Sequence, residues 1–140
     1  MTAKARIRID AVISAPVEKV WDYYTGPAHI TQWNQASPDW HCPSATNDLR
    51  PGGKFSSTMA AKDGSFSFDF WGIYDEVDTH KKIVYTMGDG RKADVLFTKN
   101  ENDTNVTVIF EPETENSLEL QQEGWQAILD SFKKYTESGC

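Results

Sequence analysis

Two Asp-Gly pairs constrain the fold of this chain more than any other feature. Asp63-Gly64 separates residues 55–61 from 65–77, and Asp89-Gly90 separates residues 82–87 from 92–99. All four stretches read as β-strands, and Asp-Gly between strands is the signature of a two-residue hairpin turn. Residues 104–111 follow the polar turn 100–103 and predict one more strand. Successive hairpins predict a meandering antiparallel sheet.

The ends of the chain supply the remaining elements. In residues 6–13, Ile7, Ile9, Ala11 and Ile13 share one face, with Arg6, Arg8 and Asp10 on the other, the pattern of a half-buried strand. Ser14-Ala15-Pro16 then predicts a helix start, with a capping hydroxyl and an early proline. Val17, Val20, Trp21 and Tyr24 follow one helical face, Gly26-Pro27 ends that helix, and residues 28–33 predict a second short one. Residues 34–50 show no clean period and contain Pro38 and Pro43. They read as a long ordered loop with room for a short strand, closed by Pro51-Gly52-Gly53. At the C-terminus, Trp125, Ile128, Leu129, Phe132 and Tyr135 form the longest helical stripe. Asn116 and Glu119 resemble a capping box, and Gly139 falls where a C′ glycine belongs. Gly124 within the helix calls for either a close backbone approach or simple tolerance.

These elements must share one core. The expectation is an α+β chain whose residues 1–140 form a single domain. About six or seven antiparallel strands would curl around a long C-terminal helix, with two short helices after the first strand. A chain of 140 residues can bury a substantial core without disulfides or metal. Its five Trp, five Tyr and seven Phe exceed what such a core requires; the plainer reading is a ring-rich core, and the sharper one is that some rings line a ligand cavity. Within residues 65–74, Phe66, Phe68, Phe70, Gly72 and Tyr74 alternate onto one face, expected to point inward. Asp69 and Trp71 fall on the other face, where Asp69 is expected to be solvated.

Charge and cysteines narrow the function classes. A formal charge of −7 argues against nucleic acid or an anionic membrane as partner. Residues 1–8 carry no apolar signal segment, and no apolar run approaches a membrane span. Cys42 and Cys140 are expected as free thiols in a reducing cytoplasm. The three histidines have no CxxC or HxxxH companion motif, so neither a metal nor another cofactor is expected.

Several motifs carry a family resemblance over nearly the whole chain. Residues 14–21, from Ser14-Ala15-Pro16 to Val20-Trp21, resemble an N-terminal strand-to-helix junction. Leu49-Arg50-Pro51-Gly52-Gly53-Lys54-Phe55 resembles an Arg-x-Gly-Gly-x-Phe turn. Gly72-Ile73-Tyr74-Asp75-Glu76-Val77 followed by Lys82-Ile83-Val84-Tyr85-Thr86 resembles a central hairpin. Gly124-Trp125 with Leu129 resembles a Gly-Trp-x-x-x-Leu helix. In this order the pieces resemble the SRPBCC (START/Bet v 1-like, helix-grip) superfamily, in its branch of bacterial activator of heat-shock protein 90 ATPase homologue-like proteins, related to polyketide cyclase-like proteins. Asp78-Thr79-His80-Lys81 stands where many relatives have a Pro-Pro turn.

The resemblance implies a cavity between sheet and terminal helix. The lining candidates are Phe55, Phe68, Phe70 and Tyr74 of the central strands, Tyr85 and Phe97 beside them, and Trp125 and Leu129 of the helix. Trp33 and Trp40 join them from the segment after the first helices. The leading reading is binding of an apolar or aromatic small molecule, lipid- or polyketide-like, by a monomer or homodimer. A cyclase or hydrolase in the same cavity is the alternative, with His41 as acid/base, Asp39 or Asp48 orienting it and Arg50 holding an anionic head. The plainer reading of these residues is preferred: Asp48 and Arg50 fix the loop, and His41 caps local backbone. A co-chaperone-like module is the third reading. The chain has no room for the eukaryotic co-chaperone's second domain, so a chaperone partner is the weakest expectation.

Overall fold

The computed structural model describes residues 6–35 and 38–138. Among these, the order of elements is β1 (Ile7–Ile13), α1 (Val17–Thr25), α2 (Pro27–Trp33), β2 (Trp40–Asn47), β3 (Lys54–Ala61), β4 (Ser67–Asp78), β5 (Lys82–Met87), β6 (Lys92–Asn100), β7 (Asp103–Phe110) and α3 (Leu118–Ser138). The seven strands form one antiparallel sheet in the order β1-β7-β6-β5-β4-β3-β2. Both Asp-Gly hairpins form, with Gly64 at φ 79° and Gly90 at φ 92°. The sheet curls as a half-barrel with α3 on its concave side.

The meander runs from β2 to β7, and the chain's first strand then closes on its last. Ile7 pairs with Phe110 and Ile13 with Thr104. This puts the apolar face of β1 beside Val106, Val108 and Phe110 of β7. Phe132 of α3 is fully buried, as are Val20, Val95, Val106 and Phe110. Rings lock this end: Phe132 meets Tyr24 at 5.1 Å and Trp33 at 5.0 Å, both edge-on. Each such ring contributes roughly 1.5–3 kcal/mol through burial.

The free edge of β1 is covered by side chains of α3. Gln122, Gln126 and Lys133 donate to the carbonyls of Arg8, Asp10 and Val12, at 3.4, 3.1 and 2.8 Å. Glu137 accepts from the Ser14 N–H at 2.8 Å. Alternate backbone groups of an edge strand, normally offered to solvent, are thus met by one helix.

Three local expectations are corrected. Residues 34–50 hold an eight-residue strand, β2, rather than mostly loop. It lies at the sheet's edge and its register shifts between His41 and Ser44, which is how a strand accommodates Pro43. Ser14 does not cap α1, because Pro16 occupies the cap position and no side chain bonds there. At α3 the capping group is Ser117, whose Oγ accepts from the Leu120 N–H at 3.1 Å, while Asn116 bonds to Glu113. The C-cap predicted at Gly139 lies outside the described residues, as does Cys140.

Candidate functional site

The site begins at the turn before β3. A Cβ at Gly53 would fall 2.0 Å from the Asp48 carbonyl oxygen, so only glycine fits. The Gly52 N–H donates to the Tyr74 carbonyl at 2.8 Å and the Tyr74 N–H to the Gly53 carbonyl at 2.9 Å. These bonds dock the turn on β4 and aim Phe55 at the concave face. Phe55 pairs with Gly72, where a Cβ would lie 2.8 Å from the Phe55 ring. The missing side chain lets that ring lie flat over β4. Tyr85, Tyr74 and Phe70 surround it at 4.9, 5.3 and 5.8 Å. Trp125 of α3 closes the far side, stacked on Phe110 at 3.8 Å and edge-on to Phe70 at 6.1 Å.

These rings leave a cavity of about 300 Å³ between β3, β4 and β5 on one side and α3 with residues of α1 and α2 on the other. That lies at the small end of ligand pockets. Its polar groups are few. The Tyr74 hydroxyl donates to Asn47 Oδ1 at 2.5 Å, and Asn47 Nδ2 donates to the Thr25 carbonyl at 2.6 Å. Tyr24 and Tyr85 bring two more phenols. Burial pushes all three phenol pKa values up. Proximity to Tyr24 raises Tyr74 and Tyr85 further, while Arg91 opposes the shift at Tyr85. Arg91, at the rim, has its own charge answered by Asp89 at 2.7 Å and donates to the Glu111 carbonyl at 3.2 Å. Among the described residues the lining holds no carboxylate, imidazole or thiol.

The expected residues distribute unevenly. Trp33, Phe55, Phe68, Phe70 and Tyr74 line the cavity, as do Tyr85, Trp125 and Leu129. Phe97 instead packs into the closed end, 5.1 Å from Trp21 and 5.6 Å from Tyr24. Trp40 stands beside Phe66 and Phe68, outside the cavity wall, at 6.1 and 6.2 Å. Phe68, at the start of β4, reaches the lining but is 46% exposed, and Phe66, just before that strand, is 58% exposed and outside the lining, which corrects its expected inward placement: both pack on Trp40 of the edge strand β2. Asp39, His41 and Arg50 are all exposed and none reaches the lining. Arg50 pairs with Asp48 at 2.9 Å, so it holds the turn as the plainer reading expected. Asp69 is solvent-exposed and accepts from Thr58 at 2.9 Å. Cys42 is buried, its pKa pushed up by burial. No metal-ligating cluster occurs among the described residues.

Tyr24, Ile30, Met59, Ile83 and Arg91 also line the cavity and escape a reading of the sequence as site residues. Tyr24 lies on the stripe Val17, Val20, Trp21, which reads as ordinary core. Its one distinguishing signal is a hydroxyl on an otherwise apolar face, which a buried tyrosine must satisfy somewhere.

A curled antiparallel sheet, a long C-terminal helix across its concave face and an apolar hollow between them define the helix-grip class, the SRPBCC architecture. Residues 14–137 match the family described as Activator of Hsp90 ATPase homolog 1-like protein. The chain belongs to that family. A solution structure of an AHSA1-like protein from Aeromonas hydrophila is 42% identical, covering 96% of this chain and 93% of that one, at a TM-score of 0.91. A protein from Cytophaga hutchinsonii is 57% identical, covering 94% and 92%, at a TM-score of 0.82. A crystal structure from Nitrosomonas europaea, 22% identical at a TM-score of 0.80 and covering 96% and 95%, shares the fold. Among curated proteins, none matches the chain. No helix among the described residues is long and apolar enough to cross a membrane.

Proposed function

We propose that this chain binds a small apolar or aromatic molecule in the cavity between its sheet and α3. The observation that carries this reading is the cavity itself, about 300 Å³ and walled largely by rings and aliphatic side chains. Its titratable groups are three phenols and one ion-paired arginine. Phenols with raised pKa values stay protonated near neutral pH and make poor general bases. His41, Asp39 and Arg50, on which a cyclase or hydrolase would depend, stand in solvent. Binding therefore fits the lining better than turnover. The family description names a chaperone ATPase, but the cavity is the more specific feature of this chain.

Native mass spectrometry of the purified protein should show a retained small molecule. Where it shows none, the neutral dye N-phenyl-1-naphthylamine should be taken up saturably at one site per chain. Absence of both a retained mass and saturable uptake refutes the reading.

A further inference from the structure

Two phenol hydroxyls in the cavity have no protein partner. Tyr24 and Tyr85 both line it, and among the described residues neither Oη forms a hydrogen bond. Buried tyrosines ordinarily satisfy this group. Their neighbour Tyr74 does so, on Asn47 at 2.5 Å. Nor are the two hydroxyls sealed in: among the described residues the enclosed, unpaired side-chain polar atom is Thr136 Oγ1, at the packed end. Tyr85 is only 7% exposed and belongs to the cavity wall, so the open space its hydroxyl reaches is the cavity.

Both residues border the same cavity, and burial keeps both as neutral phenols. A neutral phenol offers one O–H donor. Phe55, Phe70 and Trp125 present rings to much of the remaining space, which Asn34, Thr46 and Ser57 also border. Arg91 is committed to Asp89 and to the Glu111 carbonyl, which lowers its claim on an anion.

We propose that the cavity selects an apolar molecule of about two rings that carries one neutral hydrogen-bond acceptor, a ketone-like carbonyl oxygen, held by the hydroxyls of Tyr24 and Tyr85. This specifies the ligand class of the binding reading above and rests on it.

Three probes share a skeleton of two phenyl rings and differ at the linking carbon. Benzophenone carries a carbonyl there, diphenylmethane nothing, and diphenylacetate a carboxylate. Displacement of N-phenyl-1-naphthylamine from the full chain ranks them. Benzophenone should bind roughly tenfold more tightly than diphenylmethane, the worth of a well-formed buried hydrogen bond. The double variant Tyr24→Phe with Tyr85→Phe should lose that preference, the ratio of its affinities for the two probes falling to about one. Because the deleted hydroxyls bond to nothing, its thermal stability should equal or exceed that of the parent, whereas Tyr74→Phe should melt lower. Equal affinity for benzophenone and diphenylmethane, or a preference that survives the double variant, overturns the proposal and leaves apolar binding standing. Diphenylacetate binding tightest overturns it in favour of an anion at Arg91. Failure of all three probes and of the dye, on protein that native mass spectrometry shows to carry no retained molecule, overturns the binding reading as well. If the double variant does not fold, the ranking on the parent chain decides.

Discussion

The two ends of this half-barrel use similar side chains to opposite effect. Where β1, β6 and β7 face α1 and the second half of α3, Phe132, Val20, Val95 and Val106 leave no accessible surface. Where β3, β4 and β5 face the first half of α3, Phe55, Phe70, Tyr74 and Tyr85 surround a hollow of about 300 Å³. The difference lies in the covering element. At the closed end α1 lies against β6, β7 and α3, so two helices share the cover. At the open end Trp125 leads the cover, held against Phe110 of β7 rather than pressed down on β4. Alternation thus decides which face a residue takes, and the covering helix decides whether that face is packed.

The sharpest way to break this comparison is a pair of truncations. Phe132→Ala should cost about 3–5 kcal/mol, the range for a ring in a closed core, while Phe70→Ala, beside existing space, should cost less than half as much. Equal losses in denaturant titrations would mean that the two ends are packed alike.

Alkali should act next, and through the hollow end. Tyr24, Tyr74 and Tyr85 all have pKa values raised above the usual 10.0. Below about pH 10 these phenols are neutral in both folded and unfolded chains, and their contribution is fully present. Above it the unfolded chain loses protons that the folded chain keeps, so stability falls steadily. Tyrosine absorbance should rise in two stages, the second coinciding with unfolding. The Tyr24→Phe with Tyr85→Phe variant should resist alkali better than its parent, and identical pH profiles would contradict that placement.

Smaller changes sharpen the boundary. Gly72→Ala forces a methyl group against the Phe55 ring and the Thr86 carbonyl, and should cost about 1–3 kcal/mol while weakening dye uptake. Gly124→Ala should do the reverse. A Cβ there meets nothing within 4 Å, so tolerance rather than close approach explains the glycine. The substitution should stabilise by at most about 1 kcal/mol in thermal melts.

How far the sequence could be read follows from the same physics. The hairpins at Asp63-Gly64 and Asp89-Gly90 were legible because turn chemistry is local. β2 was not, because an edge strand with a bulge at Pro43 needs neither strict alternation nor a full set of N–H donors. Phe55, Phe70, Tyr74 and Trp125 were legible as lining because alternation and helical spacing report direction. Depth is different: Phe97 and Phe68 obey the same rules, yet one is packed and the other overhangs. Cover separates them: Phe97 lies under Trp21 and Tyr24 of α1, while Phe68 packs on Trp40 of the edge strand, and that is a tertiary property. Tyr24 was hidden for a related reason, since a helical stripe does not show which of its members borders empty space.

The helix that walls the hollow is also the guard of a sheet edge. By meeting Arg8, Asp10, Val12 and Ser14 with side chains, α3 removes a template on which another chain's strand would align. Variation in α3 that adjusts the cavity therefore carries a second liability. Any change that loosens its grip at Gln126 or Lys133 bares a row of backbone acceptors, and self-association would be a side effect of retuning specificity.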